Sequence, residues 1–292
     1  MRNSRYLQLD VFPARAGGGN PLGVVVDADG WSSEQMQAFA AWTGLVETTF
    51  VLAPTKPDAS YRLRIFTPSR EIPFAGHPTI GSAHAVIETG IAKPSDGLLK
   101  QECGAGVLPI RVEGDGEERR IFVQAPPARV LRRDPADVVE LRSLLQGIAQ
   151  GALPPVFVEG GRRWWIAEFA DEAALRDWKP DHAAIGTLAR STDSLGLCVF
   201  ARSASPDYEL VVRAFPAGVG IVEDPASGAA NGLIAAWIAE AEPAGTLAGG
   251  YRVSQGREIG HDAAIVIRIE HGDVWVGGRT RTIVSGAVAW PA

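Results

Sequence analysis

Three side chains have types and settings suited to moving a proton: Glu47, His77 and Asp224. Glu47 stands in Gly44-Leu-Val-Glu-Thr-Thr-Phe, with apolar Leu45, Val46 and Phe50 close by in sequence. A carboxylate in such company either pairs structurally or works as an acid or base with an adjusted pKa. His77 and Asp224 each stand just before a proline in a segment that occurs twice. Residues 61–87 (YRLRIFTPSREIPFAGHPTIGSAHAVI) and 208–234 (YELVVRAFPAGVGIVEDPASGAANGLI) align without a gap. They match at Tyr61/Tyr208, Leu63/Leu210, Pro78/Pro225, Gly81/Gly228, Ala83/Ala230 and Ile87/Ile234. A repeat of that length is one supersecondary unit used twice.

The repeat implies a way to hold an anion. In each copy a strand-like run leads through a loop into P-x-x-G-[SA]-A and an apolar helix, so Pro78 and Pro225 are expected to open helices. Proline suits the first helical position, where its missing N–H has no partner to lose. The other N–H groups of a first turn are unpaired, and with the helix dipole they favour a carboxylate or phosphate. Small residues at Gly81, Ser82, Ala83, Gly228, Ala229 and Ala230 allow close approach. Two such ends, each with one titratable side chain, make a two-sided site for a small anion between the halves. The plainer alternative is a pair of capped helices in a duplicated scaffold, with Asp224 an N-cap.

The elements that position these residues are mostly short strands. They are expected at 6–11, 23–26, 49–52, 61–66, 107–112 and 120–124, then at 156–158, 163–166, 195–200, 208–213, 251–253, 264–269, 274–277 and 282–288. Helices are expected at 32–42, with Ser32 as N-cap and Gln35 completing a capping box, at 134–147 and at 172–178. The repeat helices, 78–89 and 225–241, are apolar or small all round, and a helix without a polar face is buried. Each is read as a central helix wrapped by its own half's strands, giving an α+β protein of two similar domains. The boundary is expected near Ala125-Pro-Pro-Ala-Arg.

Composition excludes several classes. The chain has 292 residues, 46% hydrophobic and 21% charged, and a net charge of −6. That acidic balance argues against nucleic acid as a partner. No apolar run is long enough for a membrane span, and MRNSRYLQLDVF lacks an apolar signal core, so a cytoplasmic protein is expected. Cys103 and Cys198 give no disulfide framework and read as packing residues. His84 lies on the face of His77, but no cluster completes a metal site. His182, His261 and His271 sit in polar stretches and read as solvated loop residues. There is no P-loop, no nucleophile elbow and no complete dinucleotide fingerprint. Gly17-Gly-Gly-Asn-Pro reads as a flexible turn that could edge a pocket.

Several motifs, in order over nearly the whole chain, resemble the phenazine-biosynthesis PhzF-like family. They are Asp10-Val-Phe, Gly19-Asn-Pro-Leu-Gly-Val-Val, Val46-Glu-Thr-Thr-Phe-Val, Arg64-Ile-Phe-Thr-Pro, Pro73-Phe-Ala-Gly-His-Pro-Thr-Ile-Gly-Ser-Ala and Glu223-Asp-Pro-Ala-Ser-Gly-Ala-Ala. The resemblance implies the diaminopimelate epimerase fold: two pseudo-symmetric domains, each a barrel-like, mostly antiparallel sheet around a central helix. It implies domains at 1–124, completed by a C-terminal strand at 283–292, and at 125–282. It also implies cofactor-free isomerisation of a compound like trans-2,3-dihydro-3-hydroxyanthranilate, a small anionic metabolite bound in an interdomain cleft, and a homodimer. Glu47 matches the family's catalytic acid/base, and His77 and Asp224 match a polar pair that contacts substrate. Gly76 and Gly228 match the backbone that holds its carboxylate, with Pro78, Thr79, Ser227 and Ala229 completing the two mouths. Where the phenazine enzyme has a serine, this chain has Ala229. Related epimerases exchange protons through two thiols, which this chain lacks at the helix starts. The alternatives are an epimerase or racemase of an amino or hydroxy acid, and a catalytically silent metabolite-binding protein.

Overall fold

The computed structural model describes residues 2–133 and 135–290. Asp134, where one helix was expected to begin, and residues 291–292 of the expected C-terminal strand lie outside them. The described chain forms two compact units, one of residues up to Gln124 and from Gly277 onward, the other of Ala125–Val276.

Unit one contains β1 (Arg2–Val11), β2 (Asn20–Val26), α1 (Ser33–Thr43), β3 (Thr48–Leu52), β4 (Tyr61–Phe66), β5 (Glu71–Ile72), α2 (Gly76–Glu88), β6 (Leu98–Cys103), β7 (Gly106–Glu113) and β8 (Arg120–Gln124). Unit two contains β9 (Arg129–Arg133), α3 (Val139–Leu144), β10 (Val156–Gly160), β11 (Arg162–Glu168), α4 (Glu172–Asp177), α5 (His182–Ser191), β12 (Gly196–Arg202), β13 (Leu210–Phe215), α6 (Gly228–Ala241), β14 (Gly250–Gln255) and β15 (Ala263–Glu270). After β16 (Asp273–Gly278), β17 (Thr280–Trp290) pairs antiparallel with β1 along its whole length.

The duplication read from the sequence recurs in the strand ladders. In unit one β1–β2 is antiparallel, β2–β3 parallel, β3–β4 antiparallel, β4–β6 parallel and β6–β7 antiparallel. In unit two β10–β11 is antiparallel, β11–β12 parallel, β12–β13 antiparallel, β13–β14 parallel and β14–β15 antiparallel. A parallel step needs a crossover, and helices supply it each time. The first crossover is α1 in unit one and α4 with α5 in unit two. The second is the repeat helix, α2 or α6.

Hydrophobicity sorts the crossovers. In α2 every residue from His77 to Val86 is buried, and the helix touches β1, β2, β3, β4, β6, β8 and β17. Gly81 allows this fit, since a Cβ there would lie 2.5 Å from a Leu22 methyl and 2.9 Å from one of Val11. In α6 eight residues are buried: Ala230 to Ala235, Trp237 and Ile238. The outer helices cover the other faces of the sheets. Met36, Phe39 and Ala40 of α1 pack with Val25, Phe50 and Phe66, and α5 places Ile185 and Leu188 against Trp165, Leu197 and Phe215. The capping box at Ser32 and Gln35 forms.

Some sequence expectations need correction. Residues 182–191 form a helix capped by Asp181, so His182 begins α5, and its ring lies 5.8 Å from that of Phe215. The strands β5, β6 and β9 were not anticipated. The turn after β1 is pinned: Asp10, 4% exposed, accepts from the N–H groups of Gly17 and Gly19, both at 2.7 Å.

Candidate active site

In unit one the structure brings Glu47 and His77 together. Glu47 ends the loop from α1 into β3, and Thr48, the first residue of β3, is locked by its hydroxyl contact with Thr43 at 3.0 Å. His77 is the second residue of α2. Its Nε2 lies 3.4 Å from Oε2 of Glu47, and both side chains are largely enclosed, at 8% and 13% exposure. That separation suits a proton relay that tightens when substrate arrives. His77 Nε2 has no aligned hydrogen-bond partner among the described residues. Burial depresses the His77 pKa to about 3, so the imidazole is neutral at physiological pH. The positive end of α2 acts in the same direction. The contact is therefore between a neutral imidazole and a carboxyl group.

The first turn of α2 is more specialised than its sequence suggests. The helix opens at Gly76, two residues before the expected Pro78, so His77 and Pro78 lie inside it. Ala75 occupies the cap position without a side-chain cap, and Thr79 N–H closes the first helical bond to Ala75 C=O at 3.2 Å. Pro78 has no N–H. Gly76 and His77 therefore carry the N–H groups left without a bond among the described residues. Thr79 points into the core. It is fully buried and its hydroxyl accepts from Gln101 at 3.0 Å, while Gln101 accepts from the Tyr61 hydroxyl at 2.9 Å.

In unit two Asp224, Pro225, Ser227, Gly228 and Ala229 lie together at the start of α6. Here the expected helix start was wrong. The helix opens at Gly228, and Pro225 belongs to the preceding turn. Ser227 is the cap, its hydroxyl accepting from Ala230 N–H at 3.3 Å. Serine and aspartate are both favoured N-caps, so Asp224 and Ser227 were rival cap candidates in the sequence, and the structure uses Ser227. Asp224 forms an isolated bridge with Ala214, and its Oδ1 accepts from Ala226 N–H at 3.2 Å.

Beside it, Glu223 is committed elsewhere. Arg213 donates to both its oxygens at 2.9 Å, and the pair is nearly sealed, at 5% and 3% exposure. The Arg213 guanidinium also donates to the carbonyls of Leu175 and Trp178. Of the adjacent carboxylates, Glu223 anchors the turn through Arg213 and Asp224 accepts from Ala226 N–H. Ser227 N–H goes to Gln255, so Gly228 and Ala229 carry the N–H groups left unbonded among the described residues.

Comparison with known proteins settles the family. The profile of the phenazine biosynthesis-like proteins (PhzC-PhzF) matches residues 9–289. The chain belongs to the phenazine biosynthesis-like family. It is 34% identical over 271 residues to trans-2,3-dihydro-3-hydroxyanthranilate isomerase of Pseudomonas aeruginosa, covering 91% of this chain and 90% of that one. It is 32% identical over 296 residues to antisense-enhancing sequence 1 of Schizosaccharomyces pombe, covering 98% and 99%. The crystal structure of a PhzF-family protein from Bacillus anthracis superposes with a TM-score of 0.82 at 24% identity, over 99% and 100% of the chains. The fold is that of the PhzF proteins, and isomerases are among the relatives.

Cys198 is buried in β12 with its sulfur on the Trp165 carbonyl at 3.4 Å, and burial pushes its thiol pKa up. Cys103 ends β6. Neither thiol is at a central helix start. Among the described residues no group of three or more His, Cys, Asp and Glu side chains could hold a metal ion. No helix among them is long and apolar enough to cross a membrane. Ala229 is exposed.

Proposed function

We propose that this protein is a cofactor-independent isomerase that moves a proton between two carbons of a small carboxylate-bearing substrate. The observation that carries this reading is the 3.4 Å approach of a neutral, buried His77 to Glu47 at the start of a central helix. Glu47 as carboxylate takes a proton from a carbon made acidic by an adjacent unsaturated system. The C–H electron pair moves into that system and a double bond shifts. The Glu47 carboxylic acid then returns the proton to the far carbon on the same face. His77, neutral throughout, hydrogen-bonds Glu47 in one protonation state and the substrate in the other. Asp224 orients a substrate amine or hydroxyl. The N–H pairs of Gly76/His77 and Gly228/Ala229 hold the carboxylate and the charge that develops.

The substrate class follows the relatives named trans-2,3-dihydro-3-hydroxyanthranilate isomerase. Ala229 bears on the exact compound, because a site lacking one hydrogen bond loses discrimination for the group that made it. Proton NMR of trans-2,3-dihydro-3-hydroxyanthranilate in deuterated buffer tests the proposal with wild type and Glu47→Gln. Conversion by wild type alone supports it. Conversion by both variants removes Glu47 from the chemistry. No conversion, with deuterium uptake at the stereocentre of an amino or hydroxy acid, replaces isomerisation with epimerisation.

A further inference from the structure

Gln255 is the last residue of β14, and no sequence signal marks it. It is fully buried and lies opposite Val212 in the parallel ladder with β13. Its side-chain oxygen accepts from Ser227 N–H at 3.3 Å and from Asn231 Nδ2 at 2.8 Å. Its side-chain nitrogen donates to the Asp224 carbonyl at 2.8 Å. These partners fix the direction of the amide. Reversed, its NH2 would face two donors and its oxygen would face a carbonyl.

The next residue makes the approach possible. Gly256 has φ +91°, and a Cβ there would lie 2.6 Å from the Pro225 carbonyl oxygen. Only glycine lets the end of β14 run directly against this turn. One side chain thus ties the segment before Pro225, at the cap of α6, and one turn into the helix.

We infer that Gln255 is the positioning residue of the second mouth. By engaging the Asp224 carbonyl and the Ser227 N–H it sets the direction of the Asp224 carboxylate. It also makes Gly228 and Ala229, rather than Ser227, the backbone donors offered to substrate. The use of this mouth by a substrate rests on the proposed function; the tie itself does not.

Two variants separate the contributions. Gln255→Met keeps length and removes all three bonds. Gln255→Glu keeps an oxygen for Ser227 and Asn231 but turns a second oxygen on the Asp224 carbonyl. Amide hydrogen exchange followed by nitrogen-15 NMR is the first readout. Ser227 N–H exchanges about tenfold faster or more in Gln255→Met, the loss of one buried hydrogen bond, and regains most of its protection in Gln255→Glu. Gly76 and His77 keep their wild-type exchange in both.

Titration with anthranilate as a carboxylate probe is the second readout. It shifts the Gly228 and Ala229 amides in wild type and binds about tenfold more weakly to Gln255→Met. With a turned-over substrate the Met variant raises KM more than it lowers kcat. Unchanged Ser227 exchange in Gln255→Met overturns the inference, as does unchanged anthranilate affinity. If wild type fails to bind anthranilate while Ser227 exchange still follows residue 255, the proposed function loses its second mouth and the positioning role stands.

Discussion

The mouths of α2 and α6 reach the same donor count by different chemistry. In α2 the third helical residue is Pro78, which lacks the N–H that would otherwise be unpaired. In α6 that N–H belongs to Ala230 and is taken by the Ser227 hydroxyl. Two consecutive N–H groups remain at each mouth. Both central helices are also tethered by a glutamine from the strand that follows, Gln101 in β6 and Gln255 in β14. What differs is charge. The polar ties under α2 are neutral: Tyr61 to Gln101 to Thr79, and Thr49 with Ser82 at 2.8 Å. Under the α6 mouth sits the buried Arg213–Glu223 pair. The mouth holding His77 and Glu47 has only neutral ties beneath it, as the proposed proton transfer between those two groups requires. The mouth holding Asp224 uses a charge pair to hold a turn that is not itself helical.

That contrast can be broken from either side. The largest effect is expected at Glu47. Glu47→Gln lowers kcat on a turned-over substrate by about 10²–10⁴-fold, the range for losing a positioned acid/base, with an unchanged urea midpoint. Arg213→Met comes next. It strands a buried carboxylate and costs about 3–5 kcal/mol in chemical denaturation, and the double change Arg213→Met with Glu223→Met recovers most of that.

A pH series sharpens the comparison. Burial lowers the pKa of His77 to about 3 and that of His84 to about 4, from 6.5. Below pH 6.5 the unfolded chain binds protons at these imidazoles that the folded protein does not. Stability therefore falls as pH falls, by up to about 1.4 kcal/mol per pH unit for each group, until the folded pKa is reached. His77→Gln flattens the dependence by one group between pH 6 and 4, read from urea midpoints. Asp224→Asn leaves the His77 share of that slope in place. The smallest effect is at the cap. Ser227→Ala costs about 1 kcal/mol of stability, since one first-turn N–H loses its partner.

Much of the architecture was legible because the repeat preserves hydrophobic pattern. Helices without a polar face had to be central, and the strands flanking them carry Val, Ile, Tyr and Phe. β6 was missed because its inward face carries Gln101, a buried polar residue that spoils the alternation. β9 was missed because Arg129, Arg132 and Arg133 make it look like a solvated run. α5 was hidden by Pro180 before it and Gly186 within it, although Asp181 was a readable cap. Within the site, residue types at Glu47, His77 and Asp224 could be read, and the Glu47–His77 contact is visible only in three dimensions. The start of α6 was misplaced because the repeat invites the same frame for Pro78 and Pro225. Thr79 looked available at its helix mouth, but α2 begins earlier and turns it inward. Gln255 carried no local signal, because its role depends on a parallel strand pairing far along the chain.

In the proposed function a neutral His77 and Glu47 form the proton-transfer unit. The direct test is nitrogen-15 NMR of the His77 imidazole between pH 8 and 4, in wild type and in Glu47→Gln. The expected result is a neutral ring in wild type throughout that range, with the Nε2 resonance displaced by Glu47→Gln. A ring that becomes imidazolium near pH 6.5, or one whose Nε2 resonance ignores Glu47→Gln, would contradict it.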